Sequence, residues 1–245
     1  MRLRHIYILF IVLAAAIVSP ARGAATTGDS DDYVRMSAKA ARFFEHGEWL
    51  NAQAMYTLML DRRPTDADVY AHAIVANAME SDTAGVMRLL EQSMMHNVPI
   101  DSLLHKVGYV GTTADAPQMY ENLLHAVADH FPWLRRSMNL HLLEYYNFRD
   151  NGAEMVRYAN MMLAGMPDNP RFNAILARGY MLTGDYDRAV QTWQKMLELA
   201  PESYDVLLDI GNYYVAADDP AAARPYLERA QAIRPTPYVA ALLAR

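Results

Sequence analysis

Two short runs carry donor atoms suited to a soft metal. Met94-Met95-His96 and Met161-Met162, with Met166 shortly after, set thioethers and imidazole close together, and such ligands favour Cu(I). Both runs close apolar amphipathic stretches, where flexible methionine fills irregular gaps, so core packing is their expected role. His125 and His130 are spaced wrongly to share a helical face. His141 and Glu144 stand about one helical turn apart, with no further ligand beside them in the sequence. Neither a Gly-rich phosphate loop nor a Gly-x-Ser-x-Gly elbow occurs. The absence of cysteine excludes disulfides, thiolate metal sites, cysteine nucleophiles and a lipid anchor on an N-terminal cysteine. We expect no catalytic residues, no metal and no cofactor.

Charge and address narrow the class further. The net charge of the 245-residue chain is −6, and no Lys/Arg stripe offers a phosphate track, so nucleic acid is an unsuitable partner. Residues 1–23 read as an export signal. Arg2, Arg4 and His5 precede the apolar run from Ile6 to Val18, and Ala21-Arg22-Gly23 supplies small residues for cleavage. As a helix that run reaches only about 20 Å, short of the roughly 30 Å hydrocarbon slab. Cleavage removes three arginines and leaves the mature chain near −9. The expected product is periplasmic or envelope-associated and spans no membrane, with residues 24–32 (AATTGDSDD) as a flexible leader.

Any site must be held by the elements, and these repeat. Prolines fall at Pro64, Pro99, Pro132, Pro167, Pro201 and Pro235, spaced 35, 33, 35, 34 and 34 residues, each closing an apolar amphipathic run. Midway between them lie turn signals: His46-Gly47-Glu48, Ser81-Asp82, Asp115-Ala116-Pro117, Asp150-Asn151-Gly152, Gly184-Asp185-Tyr186 and Asp218-Asp219-Pro220. The aspartates are suited to cap helices, and Pro117 and Pro220 suit a first helical position. Each unit of about 34 residues is therefore helix, tight turn, helix, turn. No stretch alternates with period two, so strands are not expected.

This pattern resembles the tetratricopeptide repeat family over nearly the whole mature chain. The fifth unit matches best, through Leu176, Ala177, Tyr180, Gly184, Asp185, Tyr186, Ala189, Trp193 and Pro201. The sixth offers Ile210, Gly211, Tyr214, Ala223, Leu227, Ala230 and Pro235, and the first Ala40, Phe43, Gly47, Ala52, Tyr56 and Pro64. The small position holds Val86, Tyr120 and Met155 in units two, three and four, and Gly111 stands where an aromatic is usual. The resemblance implies an all-α, right-handed superhelical solenoid of about six repeats, at 33–66, 67–100, 101–134, 135–169, 170–203 and 204–237, closed by a short capping helix at 238–245.

It also implies a non-catalytic scaffold that binds a peptide or partner helix in a concave groove lined by first helices. One inward position falls on Ala41, Val75, Tyr109, Glu144, Arg178 and Asn212, with His72, His105 and His141 nearby. A clamp for C-terminal carboxylates is not expected, because its positions hold Ser37, Ala71, His105, Leu140, Ala174 and Leu208. Two fates are open to Tyr238, Val239, Leu242 and Leu243: folding over unit six as a cap, or forming an edge through which the chain pairs in a homo-oligomer or an envelope complex.

Overall fold

The computed structural model describes residues 27–114 and 116–244. The expected export signal and residues 24–26 lie outside them. Among the described residues there are thirteen α-helices and no strand. Six hairpins follow one another: α1 (Thr27–Glu45) with α2 (Trp49–Arg62), α3 (Ala67–Met79) with α4 (Thr83–Met95), α5 (Ile100–Thr113) with α6 (Pro117–His130), α7 (Arg135–Phe148) with α8 (Gly152–Leu163), α9 (Pro170–Thr183) with α10 (Tyr186–Leu199), and α11 (Tyr204–Ala216) with α12 (Pro220–Ile233). A short α13 (Pro237–Leu243) follows. Each helix packs chiefly on its neighbours in sequence, which is the solenoid that the repeat implies.

One correction falls at the start. Residues 27–32 are helical, not a leader, because α1 begins at Thr27. Acidic residues there suit the positive end of a helix dipole. Tyr33 is buried and its hydroxyl donates at 3.2 Å to Asp66, the N-cap of α3, which ties the start of α1 to the start of α3.

The recurring turn has one chemistry. The backbone N–H of Glu48, Asp82, Ala116, Asn151, Asp185 and Asp219 donates to the carbonyl five residues back, on Phe43, Asn77, Gly111, Tyr146, Tyr180 and Tyr214. That bond closes the first helix of every unit in the Schellman manner. The residue before it is left-handed at Gly47, Ser81, Asp150, Gly184 and Asp218. Asp82, Asn151, Asp185 and Asp219 then cap the second helix by accepting from a backbone N–H three residues on, worth about 1 kcal/mol each.

Packing across the hairpins follows residue size. Ala52, Ala189 and Ala223 are buried where two helices meet, as the small position requires. Unit three reverses the arrangement. Tyr120 occupies that position on α6, and the facing residue on α5 is Gly108, where a Cβ would lie 3.0 Å from the tyrosine ring. Unit four approaches unit five through Gly152 and Gly179, where a Cβ on either would come within about 3.1 Å of the other's carbonyl oxygen.

The apolar interior has three parts. The largest runs from Tyr33 to Leu176. A second joins Ala177 on α9 with Ala189, Trp193, Leu207 and Ala230. The third sets Ala223 and Leu227 of α12 against Val239 and Leu242 of α13.

Candidate binding wall of first helices

Side chains tie the first helices of successive units into one wall. Between α3 and α5, Lys106 pairs with Asp68. Between α5 and α7, Asp101 accepts from the Ser137 hydroxyl and lies 3.4 Å from His141 Nε2. Between α7 and α9, Arg171 pairs with Glu144 at 2.8 Å, while Arg178 donates to the Asn147 carbonyl at 2.9 Å and its side-chain oxygen at 2.7 Å and pairs with Asp150. Between α11 and α13, the Tyr238 hydroxyl donates to Asn212 at 2.8 Å. Exposed ion pairs of this kind contribute little individually, about 0–1 kcal/mol, but together they fix the spacing of the wall.

Three clefts open along it. The first, of about 860 Å³, is lined by His72, His105, Lys106 and Tyr109 among others. The second, of about 210 Å³, has walls of His105, Tyr120, Glu144, Tyr145 and Phe148. The third, of about 660 Å³, lies between Ile175 and Arg178 of α9 and Asp209 and Asn212 of α11, with Trp193 and Tyr213 as apolar lining. Tyr109 is 61% exposed and Phe148 87% exposed, the most exposed of the large apolar side chains lining these clefts.

The expected ladder is only partly there. Tyr109 faces solvent, and Glu144, Arg178 and Asn212 line clefts, as do His72 and His105. Val75 is wholly buried, because α3 is covered on several sides by α2, α4 and α5. Ala41 is exposed. Glu144 and Arg178 are each held by protein partners rather than left open for a guest.

His141 departs from a groove contact more sharply. It is 4% exposed, lies 3.2 Å from the Tyr120 hydroxyl through Nδ1, and packs its ring 4.5 Å from that of His105. Burial, and then the neighbouring His105, lower its pKa below the ordinary imidazole value, although Asp101 and Glu144 pull the other way. A neutral ring is therefore favoured. Burial also raises the Tyr120 hydroxyl well above its usual range, with Glu144 adding to the effect.

The C-terminal edge is corrected as well. Val239 and Leu242 are buried against α12, so they are not available as an edge contact. Leu243 is partly buried in the same cluster. Only Tyr238 of the four is exposed, and its hydroxyl is engaged by Asn212. The physical reason is that Pro237 starts a helix capped by Thr236, which turns the apolar face inward. The methionine runs divide: Met94, Met162 and Met166 pack inward, whereas Met95 and Met161 are exposed.

Phe148, Tyr145 and Asp209 escaped the sequence reading. The signal for two of them was present. Phe148 follows Glu144 by one turn and Asp209 precedes Asn212 by nearly one, so each shares a helical face with a ladder residue.

Comparison with known proteins agrees with this architecture. The tetratricopeptide repeat profile matches residues 180–245. A 51-residue stretch, 21% of the chain, is 47% identical to cellulose synthase operon protein C of Pseudomonas fluorescens (strain SBW25). The match spans only 4% of that relative's length. Among solved structures, the type IV pilus biogenesis factor PilW superposes with a TM-score of 0.50 at 17% identity, over 86% of this chain and 98% of that one. The C-terminal part of a tetratricopeptide repeat-containing protein from Cytophaga hutchinsonii gives 0.49 at 16% identity, over 79% and 77%. The tetratricopeptide repeat match thus covers the C-terminal part of the chain, and the remaining hairpins share the fold seen in PilW. Such stacks are scaffolds for protein–protein interaction. No helix of the described residues is long and apolar enough to cross a membrane.

Proposed function

We propose that this protein is a non-catalytic scaffold of the bacterial cell envelope that holds a peptide or partner helix along the wall of first helices. The observation that carries the reading is the pair of exposed aromatics, Tyr109 and Phe148, standing beside adjoining clefts that share His105. Large apolar side chains in water, rimmed by polar groups, mark interaction surfaces, and aromatic anchors supply much of the binding energy where partners meet. The envelope address is supported by the charged and apolar start of the sequence, and the likeness to a cellulose synthase operon protein is compatible with it.

Photo-crosslinking in intact cells tests this. A crosslinking residue at Tyr109 or Phe148 should capture a defined partner, and one at Met95 or Trp133, both exposed but outside these clefts, should not. Capture solely from Met95 and Trp133 would overturn the wall as the binding face. Tyr109→Ala and Phe148→Ala remove exposed rings, so each should weaken binding about tenfold or more while leaving the fold intact.

A further inference from the structure

The junction between α9 and α11 differs from the others along the wall. Among the described residues, no side-chain hydrogen bond or ion pair spans it, although the first helices from α3 to α9 are laced together and α11 is held to α13. This gap in the lacing coincides with the third cleft. Its charges are also unequal. Arg178 on the α9 side is neutralised by Asp150 and held by Asn147. Asp68, Asp101, Glu144 and Asp150 along the wall all have partners. Asp209 has none among the described residues. Asp205, one turn away on the same face, is compensated by Arg234 at 3.5 Å, whose guanidinium lies over the Tyr204 ring.

We propose that this cleft receives a basic side chain, lysine or arginine, from the bound segment, with the Asp209 carboxylate as its counter-ion and Tyr213 and Trp193 beside its aliphatic stem. The assignment rests on the first helices being the binding face and names what one subsite on it recognises. The cleft's volume of about 660 Å³ has room for a long side chain, its lining includes the apolar Ile175, Met181, Trp193 and Tyr213, and its one uncompensated charge is negative. Partial loss of water at the cleft wall, and then the nearby Asp205, already raise the pKa of the Asp209 carboxyl, which keeps one side open to solvent. An arriving cation relieves both effects at once.

The test is selection of peptides from a random short-peptide display library on the whole protein. Wild-type protein should enrich peptides with lysine or arginine at one fixed position. Asp209→Asn should lose that preference and bind the selected peptides about tenfold more weakly, a gap that narrows at high salt. Asp209→Glu, which keeps the charge, should restore the preference. Circular dichroism should be unchanged, since Asp209 is exposed. Peptides without a basic preference, or a preference that survives in Asp209→Asn, would overturn the subsite and leave the wall as the binding face. Failure of every variant to select any peptide would sink the wall and the subsite together.

Discussion

The first four hairpins, with one face of α9, draw on one apolar core from Tyr33 to Leu176, whereas the other face of α9 shares a smaller one with α10, α11 and α12 that begins at Ala177. The smaller body is the one whose sequence most resembles the family, and all of it but Ala177 falls in the segment that the repeat profile matches. The larger body departs from the pattern and adds contacts between units: the His105 ring against His141, the Tyr120 hydroxyl beside His141, and the Tyr146 hydroxyl donating to Glu121. The difference teaches that pattern residues secure a hairpin within itself. Where they are lost, a particular pairing across hairpins must take their place.

The sharpest challenge to this division is a cavity placed in one body only. Leu142 is buried in the larger core and Leu207 in the smaller. Leu142→Ala should destabilise the first four hairpins by about 3 kcal/mol, read by hydrogen exchange as faster opening there with protection of α11 and α12 retained. Leu207→Ala should do the reverse. If both variants speed exchange throughout, the chain opens as one unit and the two bodies are a single one.

Acid separates the bodies by a smaller amount. His141 is held neutral in the folded state, so its pKa lies below that of the unfolded chain. Stability from this group is intact above the ordinary imidazole pKa of about 6.5 and declines as pH falls through that value toward the folded one. Asp209 behaves oppositely: its folded pKa is raised, so protonation at lower pH relieves the smaller body. Between pH 7.5 and 5.5 the larger body should lose stability, measured as a fall in urea midpoint. The decline should vanish in His141→Gln.

The smallest effect comes from the turns. Ser81 in the larger body and Asp218 in the smaller adopt left-handed backbone with side chains that disfavour it. Ser81→Gly and Asp218→Gly should each stabilise their own body by about 0.5 kcal/mol, resolved by exchange of the flanking helices. Equal gains in both would show that the turn is indifferent to how its hairpin is packed.

Helices, hairpins and turns were legible because proline and aspartate act locally: each fixes a boundary whatever surrounds it. Capping by Asp82, Asp185 and Asp219 follows directly from the residues. The wall was less legible. Val75 occupies a ladder position, yet its burial depends on how α2, α4 and α5 close around α3. Glu144 and Arg178 look like open charges until Arg171 and Asp150 are brought up from other units. His141 reads as a groove residue, and only the tyrosine admitted by Gly108 shows why it is enclosed. Long-range neighbours, which no local pattern encodes, decided each of these.

Leu176 and Ala177 are consecutive residues, yet they feed separate interiors. Tyr180, one turn further along α9, packs against both interiors and bridges that seam. A tug on the C-terminal side would reach hairpin six before it met the packing of α9 on α8, where Phe172, Ile175 and Leu176 anchor hairpin five to the larger interior.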